Sequence, residues 1–139
     1  MKLTKRKSLE LTIELWDWLA GNPKRWKINW PGWKIRGGPN PEMRHDCPCC
    51  EYDLQHEGSG YADDGCLHCP LRDYWPSGGC EPEDDSGSPW LDWIEATEGN
   101  VMIKEAEKAA TEIADLARQA LADHNKRYPI LKSTEGAIC

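Results

Sequence analysis

Cys47 and Cys50, then Cys66 and Cys69, form two Cys-x-x-Cys pairs separated by fifteen residues. At that spacing four thiolates converge on one tetrahedral Zn²⁺. A two-residue gap sets two sulfurs on one tight turn, and the fifteen-residue excursion lets the second turn return opposite the first. The second pair is unambiguous. At the first, His45 and Cys49 lie within reach as alternates, and Cys80 is a further candidate. Cys47 with Cys50 is preferred over Cys49 with Cys50, because adjacent side chains resist pointing at one ion. Four thiolates close the coordination shell, so the expected cofactor is a structural zinc, not a catalytic one. Seven cysteines in 139 residues are few for a disulfide scaffold and odd in number. The start, Met1-Lys-Leu-Thr-Lys-Arg-Lys-Ser8, lacks the apolar run of a signal peptide, so a reducing cytoplasm is expected. Neither pair follows a strand opening a βαβ unit, which argues against thioredoxin-like chemistry.

A second group with chemical potential is Trp26, Lys27, Trp30, Trp33, Lys34 and Arg36. Aromatic faces stack on bases and cations hold phosphate, so these are candidate ligand-binding residues for a small signalling nucleotide or, less well, single-stranded nucleic acid. The competing reading makes the tryptophans core: the chain has eight Trp and no Phe, and each indole buries roughly 150 to 250 Å². The histidines show no catalytic pattern, with neither HExxH nor a triad context, and Gly37-Gly38-Pro39 lacks the Lys and helix of a phosphate loop. The chain therefore reads as non-enzymatic.

The elements that must position these groups are helical. Apolar residues recur at helical spacing from Ser8 to Ala20, and Gly21-Asn22-Pro23 ends that helix. Residues 26 to 39 read as an irregular Trp-rich loop with at most one helical turn. The excursion between the cysteine pairs, from Glu51 to Gly65, is polar and Gly-rich and reads as a loop. Glu81 to Ser88 forms an acidic linker that could dock a basic partner. Ser88-Pro89 supplies an N-cap and a first-turn proline for a short helix toward Glu98. From Val101 to Arg127 runs a long helix with Met102, Ala106, Ala109, Ile113, Leu116, Ala117, Ala120 and Leu121 on one stripe. Its length, roughly 40 Å at 1.5 Å per residue, exceeds what a small zinc module covers, so the stripe is a packing face or a homodimer seam.

The fold expected is mainly α with a small irregular zinc-binding module, in one domain over residues 1 to 139. Its parts are a helix and basic Trp-rich segment at 8 to 36, the zinc module at 40 to 81, helices at 88 to 127, and a flexible tail at 128 to 139. The net charge of −7 divides unevenly: residues 1 to 36 carry nine Lys/Arg against three acids, a net of +6, leaving −13 for the rest. Duplex DNA is disfavoured by the overall sign, and no eighteen-residue apolar run exists to span a membrane.

Leu15-Trp16-Asp-Trp18, Trp30-Pro-Gly-Trp33, Cys47-x-x-Cys50-Glu-Tyr52 and Cys66-x-x-Cys69-Pro-Leu71, followed by Trp75-Pro76 and Cys80, resemble small uncharacterised proteins of bacteriophage and prophage genomes over residues 8 to 95. The resemblance implies a viral accessory protein in the cytoplasm of a bacterial host. Its implied action is to bind and inhibit a host protein, with a component of antiviral defence as the expected target.

Overall fold

The chain is described by a computed structural model in residues 3–32, 47–57, 68–76 and 88–129. Helix α1 spans Lys5–Gly21. It begins earlier than the apolar pattern suggests because the Thr4 hydroxyl caps it, accepting the Lys7 N–H at 3.0 Å. Asn22 closes it, its side-chain amide donating to the Trp18 carbonyl at 2.8 Å. One 3-10 turn follows at Lys27–Asn29, as the Trp-rich segment leads one to expect.

Helix α2, Pro48–Glu57, corrects the sequence reading, which made a loop from Glu51 onward. Pro48 takes the first helical position, where its missing N–H costs nothing. The Cys47 carbonyl accepts the Glu51 N–H at 2.9 Å to close the first turn. Cys49 and Asp53, one turn apart, are buried at 0% and 1% exposure. The helix is held by tertiary contact with α1 and not by an apolar stripe of its own, which is why periodicity missed it.

Helix α3 runs Pro89–Thr97 and helix α4 runs Ile103–Arg127. Ser88 stands at the N-cap of α3 and its carbonyl accepts the Asp92 N–H at 2.9 Å, but its hydroxyl makes no capping bond. The link between α3 and α4 turns through Gly99, whose φ of 63° lies in the left-handed region that glycine enters without strain.

Helices α1 and α4 lie antiparallel: Arg6 donates to Asn125 Oδ1 at 2.8 Å and to the Tyr128 carbonyl at 2.7 Å, while Arg118 pairs with Asp17 at the other end of α1. The alanine stripe of α4 is consumed here. Ala106, Ala109, Ala110, Ile113 and Ala114 pack with Leu11, Leu15, Trp16 and Leu19 of α1 and with Trp93 and Ala96 of α3. Farther along, Ala117 and Ala120 pack with Leu9, Cys49 and Leu71. Small side chains let the helix axes approach closely, so the alanines and Ile113 of the stripe offered as a homodimer seam are covered within the chain, while Met102 at its start is exposed. No helix of the described residues is long and apolar enough to cross a membrane.

Candidate metal centre

The thiols gather where α2 starts, on the flank of the α1–α4 layer. Cys47 precedes Pro48 in the N-cap position, and its sulfur is a thiolate site by construction. The Cys50 side chain donates to it, Lys27 supplies positive charge, and the backbone N–H groups of Cys50 and Cys49 point at it. Against the opposing effect of burial, these hold its pKa down to about 6.

Cys49 behaves differently. Its Sγ lies 3.1 Å from Thr12 Oγ1, and Thr12 spends its single hydroxyl proton on the Ser8 carbonyl at 2.7 Å. A hydroxyl has one hydrogen to give, so in this contact the Cys49 thiol is the donor. Cys69 in turn hydrogen-bonds to Cys49; this bond first, then burial, push its pKa up. The result is a relay from Cys69 to Cys49 to Thr12 to Ser8, alongside a Cys47–Cys50 pair.

Of the expected ligands, Cys47 pairs with Cys50 and Cys69 lies near Cys47 and against Cys49, while Cys66, His45 and Cys80 lie outside the described residues. Among the described residues, no three His, Cys, Asp or Glu side chains are grouped so that they could hold a metal ion. The donor chemistry nonetheless suits a soft divalent cation: a thiolate is already favoured at Cys47, and a thiol lies beside it at Cys50. Cys49, weighed from sequence as an alternate ligand, is fully buried against Thr12 and Ser8 of α1.

Three residues at this site escape sequence reasoning: Ser8 and Thr12 of α1, and Asp53 of α2. Asp53 Oδ1 accepts the His68 backbone N–H at 2.6 Å, while its Oδ2 is buried without a hydrogen-bond partner. The only available signal was an acid one helical turn beyond the first pair, visible once 48–57 is known to be helical.

The tryptophan group divides. Trp30 is a core residue at 6% exposure, and Gly32 passes so close that a Cβ there would stand 2.2 Å from the indole. Trp26 is 46% exposed and meets Trp93 edge-on, with centroids 6.0 Å apart. Lys27 sits over the Trp90 ring, 5.7 Å from its centroid. Trp33, Lys34 and Arg36 lie outside the described residues. Away from the thiols, Asp92, Glu95, Glu105, Glu112 and Lys108 surround Met102 and Ala109 in a depression of about 240 Å³ between α3 and α4. No known family, curated protein or solved structure matches the chain.

Proposed function

We propose that this chain is a non-enzymatic interaction protein whose helical scaffold is locked by a structural zinc ion at Cys47, Cys50, Cys66 and Cys69. The observation that carries the reading is that Cys69, from the second pair, packs against Cys47 and Cys49 at the start of α2, where Cys47 and Cys50 already pair. Segments so far apart in sequence share this spot on a layer built by α1 and α4. A fourth thiolate closes the shell and leaves no position for water, so the ion acts as a staple. Interaction is supported by the α3–α4 edge. There Met102, exposed at 43%, sits among Asp92, Glu95, Glu105 and Glu112 and suits a basic segment of another protein. The likeness of residues 8 to 95 to bacteriophage and prophage proteins makes a host protein, and an antiviral-defence component first, the partner class to test. The rival reading, a sponge for a signalling nucleotide, keeps support from the exposed ring of Trp26 beside Lys27 but loses Trp30 as a platform.

Metal analysis tests the centre. Purified protein is expected to carry one zinc per chain and to melt at lower temperature after chelation, because binding only the folded state stabilises it by mass action. Zinc-free protein with every thiol titratable would remove the proposal. Melting with submillimolar nucleotides separates the rival: a rise in Tm favours the sponge, and none favours the interaction protein.

A further inference from the structure

Asp53 is buried to 1% exposure, three residues after Cys50 and four after Cys49, so it shares their side of α2. One carboxylate oxygen takes the His68 N–H at 2.6 Å, a short charge-assisted bond to the residue immediately before Cys69. The other oxygen is buried with no partner, and among the described residues no Lys, Arg or His side chain forms an ion pair with Asp53. A buried carboxylate oxygen left bare is a cost. The bare oxygen adds nothing to local stability, so the contribution of Asp53 lies in what its engaged oxygen holds. That is the backbone at His68, immediately before Cys69, tied to α2. The bond is made by the His68 backbone amide, and the residue is otherwise exposed.

The geometry points to Asp53 as the positioning residue of the metal centre: through His68 N–H it holds Cys69 beside Cys47 and Cys49, at the start of the helix that carries Cys50. The inference rests on the zinc reading above. It differs from a merely structural role in what it predicts. An acceptor at this position sets metal affinity and coordination geometry, while the charge on the carboxylate does not. Groups that orient ligands without touching the metal alter affinity by about 10- to 100-fold when removed.

The test uses the full chain with cobalt(II) as a spectroscopic stand-in for zinc, in wild type, Asp53→Ala and Asp53→Asn. Asparagine keeps an oxygen for the His68 amide; alanine does not. Asp53→Ala is expected to bind cobalt about 10- to 100-fold more weakly, with an altered visible spectrum. Asp53→Asn is expected to restore the wild-type spectrum and affinity and to melt, metal-free, no lower than wild type. Equal affinity in wild type and Asp53→Ala would overturn the inference while leaving the zinc centre standing. So would Asp53→Asn losing affinity and metal-free melting temperature together. A wild type that binds no cobalt overturns both readings. Should Asp53→Ala fail to fold, the His68 amide in the wild type decides: slower hydrogen exchange after metal addition supports the inference, and unchanged exchange overturns it.

Discussion

Trp30 and Gly32 are two halves of one contact: the indole fills a core position, and the backbone two residues on must pass against its face. A methyl at Gly32 would fall 2.2 to 2.6 Å from three ring carbons, so either the ring or the chain must yield. Gly32→Ala should destabilise by about 1 to 3 kcal/mol, the usual cost of overpacking. Gly21→Ala, at a helical position with nothing within 4 Å of the added methyl, should be neutral or stabilising by up to about 1 kcal/mol. Paired denaturant curves read both, and equal midpoints for the two variants would contradict the close approach. At this scale the sequence was only partly legible. Cys47, Cys50 and Cys69 announce themselves by spacing. Asp53 and Thr12 do not, since a lone acid and a lone hydroxyl acquire meaning only from the helix faces that bury them. The role of Cys49 turns on where one hydroxyl proton goes, which no spacing reveals.

Helices α1, α3 and α4 were readable because each carries an apolar stripe and a punctuated end, whereas α2 buries cysteine and acid and so has no stripe to read. The partner covering the alanines of α4 was not readable: a stripe states that something approaches closely, not whether the approach is within the chain. The antiparallel pairing of α1 and α4 also creates a pH-sensitive joint. His124, near the end of α4, has Nδ1 buried without a hydrogen-bond partner. Burial first, then the charges of Arg6 and Lys5 at the start of α1, hold its pKa below the ordinary 6.5. The unfolded chain therefore takes up this proton before the folded chain does. The contribution of His124 to stability is complete above pH 6.5 and is lost as pH falls through the depressed value. Melting from pH 7.5 to 5 should show wild type losing more stability than His124→Gln. Parallel curves would mean the imidazole titrates alike in both states.

Across the whole molecule, the charge asymmetry of the sequence is partly spent inside the fold. Arg6 is committed to the end of α4 and Lys27 to Trp90 and Cys47, so the basic segment is less free for phosphate than its composition suggests. Arg118, with Asp17 and Asp115, joins α1 to α4 at an exposed site, where such pairs contribute about 0 to 1 kcal/mol. Aromatic rings do more of the joining. Trp16 and Trp93 stand edge to face with centroids 5.0 Å apart, and Trp26 meets Trp93 at 6.0 Å, forming a line from the interior to solvent with exposures of 2%, 1% and 46%. This line has an optical consequence. Energy absorbed by a buried indole finds another ring in contact and migrates toward the one with the lowest excited state, which is the water-relaxed Trp26. The folded protein should therefore emit at a longer wavelength than its packed interior warrants, and Trp26→Phe should shift the emission to the blue without loosening the fold. An unmoved spectrum in that variant would mean that the interior indoles radiate on their own.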